Sequence, residues 1–153
     1  SSAASDVYKR QKLYAMAGMR VGFAVGAPAI IKMMKDQVAG EKLNYPGVAA
    51  ALVSLDDEPF QEYSRASNLE SRKILASCFD KLGVKYLPSS TNFMFFELNE
   101  PIRAFQEKMA ARNILVGRPF PPAMNWCRIS LGTPQEMAYV ANELMKMRAE
   151  GAF

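Results

Sequence analysis

Three arginines and a lysine have types and spacings that could do chemistry. In Lys12-Leu-Tyr-Ala-Met-Ala-Gly-Met-Arg20-Val-Gly22 a lysine precedes an arginine by eight residues, across small residues that lead into a short apolar run. A lysine desolvated near other positive charge has a depressed pKa, and its neutral amine can attack a carbonyl or take up a proton. Arginine offers a permanently charged planar fork that grips phosphate or carboxylate through two parallel hydrogen bonds. Arg128, in Trp126-Cys-Arg-Ile-Ser-Leu-Gly-Thr133, alternates with the apolar Cys127 and Ile129. In a strand that alternation turns the arginine off the core face and toward a cleft. Arg118 lies in Val116-Gly-Arg-Pro-Phe-Pro-Pro122, a loop stiffened by prolines. Asn92, in Ser90-Thr-Asn-Phe93, stands at a strand entry, where its amide could serve a ligand or simply bond local backbone. The plain alternative for each charged residue is a solvated surface position.

The elements that position these residues follow from periodicity. Residues 21–25 (VGFAV) read as a buried strand, followed by a helix from Pro28 with Ile30, Ile31, Met34 and Val38 on one face and Gly40 as its stop. Asn44 to Gly47 read as a turn, and 48–55 as an apolar helix buried on most sides or packed at an interface. After a break at 56–59, a long helix runs from about 59 to 82. Its stripe is Ile74, Leu75, Cys78, Phe79 and Leu82, and Gly83 caps it. Strands are expected at 84–87 and 91–98, joined by Pro88-Ser89-Ser90, with Met94 and the phenylalanines of 93–96 assigned to the core. A helix follows from Asn99 and Pro101, with Ile102, Phe105 and Met109 on one face. Next come a short strand at 114–116, a proline-rich loop at 118–122 and a strand at 126–131. Thr133-Pro134-Gln135-Glu136 is a capping box opening a final helix that carries Met137, Val140, Ala141, Leu144 and Met147. The order is an α/β pattern.

Composition removes several classes of function. Residues 1–11 (SSAASDVYKRQ) have no apolar periodicity and read, without mismatch, as the translation of a common sequencing-library transposon adapter, so they are expected to be non-native. Without Lys9, Arg10 and Asp6, the 19 basic and 15 acidic residues become 17 and 14, a net charge of +3. That mild excess contains no block of like charge, so neither nucleic acid nor membrane is expected as a partner. No apolar run is long enough to span a bilayer. There is no histidine, which excludes a Ser-His-Asp triad and a histidine-rich zinc site, and the two cysteines cannot complete a metal site alone. Cys78 and Cys127, far apart in apolar surroundings, fit buried thiols in a reducing compartment.

The segment from Lys12 to Gly22 resembles the cofactor-lysine motif of fold-type I pyridoxal-phosphate aminotransferases, class I/II, and most closely the histidinol-phosphate aminotransferase group. The resemblance implies that Lys12 carries pyridoxal 5'-phosphate and that Arg20 binds its phosphate. The residue before that lysine is commonly serine in the family; here it is Gln11, at the adapter junction. The 126–133 segment resembles the family strand whose arginine grips the substrate carboxylate, which points to Arg128. Arg118 falls where related enzymes bring a loop close to the substrate, and Asn92 lies in a family-like run.

The implied fold is α/β: the end of the large cofactor-binding domain (12–55) plus the small α+β C-terminal domain (56–153) of the aspartate-aminotransferase fold. The implied activity is transamination between an amino donor, histidinol phosphate or an amino acid, and 2-oxoglutarate, in a cytoplasmic homodimer. The family's glycine-containing phosphate loop, its aspartate for the pyridine nitrogen and the residues lent by a second subunit are not in this sequence, so the fragment itself is expected to be inactive. Two alternatives share the resemblance: a pyridoxal-phosphate decarboxylase on the same scaffold, and an aminotransferase-like effector domain of a transcription regulator.

Overall fold

Apolar periodicity resolves into eight regular elements in the computed structural model, which describes residues 13–22, 25–37 and 44–152. The adapter-like segment, Lys12, Phe23, Ala24, Val38 and Gly40 lie outside the described residues. The chain divides into two units between Arg65 and Ala66.

In the first unit, a 3-10 turn (Ala17–Met19) precedes helices α1 (Pro28–Gln37) and α2 (Tyr45–Leu55) and the start of α3 (Glu58–Leu82). Pro28 opens α1, where its missing N–H costs nothing. Residues 44–47, expected as a turn, instead open α2. Asn44 is the N-cap, its side chain accepts from the Gly47 N–H, and Pro46 sits in the first turn, so cap chemistry extends the helix backward. Three side chains tie the 13–19 segment down. Asn44 Nδ2 donates to the Met19 carbonyl at 2.9 Å, Ser54 Oγ approaches Met16 Sδ at 3.5 Å, and Ser64 Oγ donates to the Leu13 carbonyl at 3.1 Å. At the described residues of the strand expected at 21–25, Val21, Gly22 and Val25, no strand is formed. Of the two readings of α2, buried on most sides or packed at an interface, the first is not met among the described residues, where Leu52 and Val53 are 62% and 74% exposed.

The second unit is built on one antiparallel sheet, ordered β1 (Tyr86–Leu87), β2 (Phe93–Glu97), β3 (Trp126–Ser130). Helix α4 (Ile102–Ala110) connects β2 toward β3, and α5 (Pro134–Ala149) follows β3. Gly83, at φ +66°, takes the left-handed conformation that ends α3. Register sets the faces: Phe96 lies opposite Cys127 and Met94 opposite Ile129, while Phe95 lies opposite Arg128. Met94, Phe96, Cys127 and Ile129 are buried under Leu75 and Phe79 of α3, Ile102, Phe105 and Met109 of α4, and Met137, Val140, Leu144 and Met147 of α5. Phe96 stands between Phe79 (centroids 4.5 Å apart) and Phe105 (5.9 Å, edge-on), the geometry that ring quadrupoles favour. The helical stripes and the capping box therefore form as expected. The strand expected at 114–116 does not: Gly117 N–H bonds the Arg128 carbonyl, and one such bond beside β3 is not a ladder.

Phe96→Ala should cost about 3–5 kcal/mol, the usual loss for emptying an aromatic core position, whereas Thr133→Ala should cost about 1 kcal/mol for a lost cap. Urea unfolding of the chain checks both. The Thr133 backbone N–H and hydroxyl hold the Glu136 carboxyl below the usual range. Its stabilisation is present above the unfolded pKa and is lost as pH falls through the lowered folded value. The stability gap between wild type and Glu136→Gln should accordingly be widest at neutral pH and close in acid.

Candidate functional site

Strand alternation leaves one face of the β2–β3 pair uncovered by the helices. This face carries Phe93, Phe95, Trp126 and Arg128, all half-buried. A cavity of about 500 Å³ opens there, walled by the 87–91 turn, Phe93, Phe95, the 120–123 loop and Arg128. The Arg128 guanidinium lies over two rings, its Cζ 5.3 Å from the Phe93 centroid and 4.8 Å from that of Phe120. Its Nε is buried and, among the described residues, has no hydrogen-bond partner. The Nε of Arg72 is likewise buried and unbonded, so what distinguishes Arg128 is its place in the cavity wall, where a guanidinium fork is of the type that grips a planar anion.

Arg118, in the proline loop, is not part of the cavity wall but reaches the Phe120 ring that is. Arg118 Cζ is 4.7 Å from the Phe120 centroid, so one ring receives both guanidinium groups. Asn92 is not brought in. It is absent from the cavity wall, its carbonyl accepts from Leu131 N–H, and the local backbone bonds in this turn come from Ser89 and Thr91 instead. That turn is pinned from α3, where Asn68 Nδ2 and Arg72 Nη2 both donate to the Thr91 carbonyl, at 3.4 and 2.8 Å. Of the 93–96 run assigned to the core, only Met94 and Phe96 belong there, since Phe93 and Phe95 face the cavity.

Two residues of the site have no chemical signature that draws attention in the sequence. Phe120 reads as part of a proline loop. Gly117 permits a close approach: it donates to the Arg128 carbonyl at 2.9 Å and accepts from Gln106 Nε2 at 3.0 Å, and a Cβ there would lie 2.5 Å from the Arg128 carbonyl oxygen. The only available signal was its place immediately before Arg118. Cys127, beside Arg128 in sequence but on the opposite face, is fully buried, and burial pushes its thiol up to about 12. Among the described residues, no cluster of acidic or cysteine side chains could hold a metal.

In the first unit, Arg20 follows the 3-10 turn in the left-handed region, at φ +54°. Its guanidinium is exposed and, among the described residues, makes one long bond, from Nη1 to the Ala17 carbonyl at 3.3 Å. That leaves a donor fork of the kind that receives a phosphate. No helix among the described residues is long and apolar enough to cross a membrane.

The family described as aminotransferase class I and II matches residues 12–144. Histidinol-phosphate aminotransferase 2 of Legionella pneumophila (strain Lens) is 35% identical over 127 residues, covering 82% of this chain and 34% of that protein. A crystal structure from Erwinia carotovora atroseptica SCRI1043, provisionally named a histidinol-phosphate aminotransferase, matches with a TM-score of 0.88 at 50% identity, over 92% of this chain and 41% of that one. The histidinol-phosphate aminotransferase of Sinorhizobium meliloti, in complex with pyridoxal-5'-phosphate, has a TM-score of 0.77 at 22% identity over 90% and 39%. At that identity the likeness shows the fold alone. The chain spans about a third of the length of the curated relatives it matches.

Gly117→Ala should push on the Arg128 backbone and destabilise the second unit by about 1–3 kcal/mol, the usual cost of overpacking, measured by chemical denaturation. Because burial holds both thiols protonated, neither Cys78 nor Cys127 should be alkylated by iodoacetamide at pH 8 until denaturant is added. Mass spectrometry of intact chain checks this.

Proposed function

This chain belongs to the aminotransferase class I and II family and shares the aspartate-aminotransferase fold, and on that premise we propose that it serves pyridoxal-phosphate-dependent transamination in the full-length protein. The proposed pair is an amino donor, histidinol phosphate or an amino acid, and 2-oxoglutarate as acceptor. The observation that carries the reading is the Arg128 guanidinium, set into the wall of a cavity with its buried Nε unbonded among the described residues. A carboxylate is the planar acceptor such a fork matches, and holding it fixes the substrate α-carbon.

The remaining roles follow from type and place. Arg20 would hold the phosphate of the cofactor through its exposed fork. Lys12 would bind the cofactor through its amine, then take the proton from the substrate α-carbon and return it at the neighbouring cofactor carbon, acting as base and then acid. Pyridoxal phosphate, when bound, supplies the electron sink for charge developing at the α-carbon. Arg118, on the far side of Phe120 in sequence from Arg128 but against the same ring, would add a second cation for the anionic groups of the substrates. The curated relatives' names support the transaminase class and the histidinol-phosphate type of donor. We further infer a homodimer and a cytoplasmic location, and that the 153 residues alone are inactive, with 12–55 ending the cofactor domain and 56–153 forming the small one.

In the full-length protein, Lys12→Ala should abolish the absorbance band that depends on the covalent link between this lysine and the cofactor, and an unchanged spectrum would sink the assignment. Arg128→Ala removes a charge-assisted pair of about 1.5–3 kcal/mol, so KM for both donor and 2-oxo acid should rise roughly 10- to 150-fold. Release of carbon dioxide without transfer of the amino group would instead select the decarboxylase alternative. A DNA-reading helix encoded upstream of Lys12 would select the regulator.

A further inference from the structure

We propose that Phe120, in the cavity wall, is a positioning residue that holds both the Arg118 and the Arg128 guanidinium against its ring. The proposal rests on the transaminase reading only for its kinetic consequence, since its geometric content is independent of it. Both guanidinium carbons lie within 5 Å of one ring centroid, at 4.7 and 4.8 Å. Two like charges so placed repel, and each long side chain would gain rotamer freedom by swinging into water. The negative faces of an aromatic ring oppose both tendencies, and they do so without using up any N–H donor. The donors are therefore not spent on the ring.

The ring is itself held in place. It packs edge-on against Phe95 at 6.0 Å and 84°, and its backbone bridges to Ala123. Pro119, Pro121 and Pro122 restrict the loop on either side. Phe120 is half-buried and lies outside the core cluster, so the fold of the second unit does not depend on it. Arg128 has a second ring beneath it in Phe93, whereas among the described residues Phe120 is the only ring shown under Arg118. Removing the Phe120 ring should therefore free both arginines, and Arg118 the more completely.

The test compares Phe120→Leu, which keeps apolar bulk but loses the aromatic face, with Phe120→Trp, which keeps the face. In the full-length protein, reaction with phenylglyoxal is followed by peptide mass mapping. Leucine should accelerate modification of Arg118 and Arg128 several-fold. Tryptophan should leave both near wild type. Exposed Arg103 serves as the reference, and Arg72, pinned to Thr91, reports any loosening of the fold. If the transaminase reading holds, Phe120→Leu should also raise KM for the amino donor and the 2-oxo acid about tenfold, with kcat and cofactor absorbance little changed. A wild type without transaminase activity would defeat the functional reading and leave the modification rates to decide this one. Equal rates in wild type and Phe120→Leu would overturn the proposal. So would equal acceleration by leucine and tryptophan, which would mean plain packing, or acceleration at Arg128 alone.

Discussion

The antiparallel register of β2 against β3 is the constraint on which the second unit depends. With Phe96 opposite Cys127, four apolar side chains are directed at three helices, and the same register directs Phe93, Phe95, Trp126 and Arg128 the other way. A slip by one residue would exchange the faces, placing a guanidinium in the core and Cys127 in the cavity. The helices guard against that slip. Their buried stripes contribute several fully sequestered aromatic and aliphatic side chains, each worth about 1.5–3 kcal/mol of apolar burial, and these fit only one face of the sheet.

The uncovered face follows a different physical rule. Among the described residues its two arginines are held by rings and form no ion pair, Arg118 and Arg128 resting on Phe120, whereas Lys85, over Trp126 on the same face, pairs with Glu97, and Glu100 and Glu143 are taken up elsewhere by Lys108 and by Arg112 and Lys146. An ion pair at Arg128 would compete with a substrate carboxylate for the same fork, and an aromatic platform does not. Holding a cation by its π-contacts preserves both its charge and its donors for a ligand. Gly117 makes a complementary contribution through the backbone, bonding the carbonyl of Arg128 so that the middle of β3 is fixed where the side chain departs.

Where the sequence was informative, the signal was local. The stripe of α3, the Ile102-Phe105-Met109 face and the Thr133–Glu136 box are all written within one or two helical turns, and each forms where expected. The failures involve partners distant in the chain. Val21, Gly22 and Val25, and residues 114–116, have strand-like composition, but a strand exists only by pairing, which composition does not specify. Likewise, the alternation around Arg128 indicated which way it faces, whereas nothing near Phe120 indicated that Arg118 and Arg128 converge on its ring. Asn92 illustrates the converse: a family-like run drew attention to it, yet the hydroxyls of Ser89 and Thr91, not its amide, organise that turn.

The alternation along β2 also separates two kinds of evolutionary change. Met94 and Phe96 answer to the helices beneath them, and Phe93 and Phe95, interleaved with them, answer to the cavity and to the rings and arginine packed against them. Substitutions at neighbouring positions thus meet different physical constraints. A lineage could drift in ligand preference through 93 and 95 while its melting behaviour stayed constant, or gain thermal tolerance through 94 and 96 without altering what it recognises.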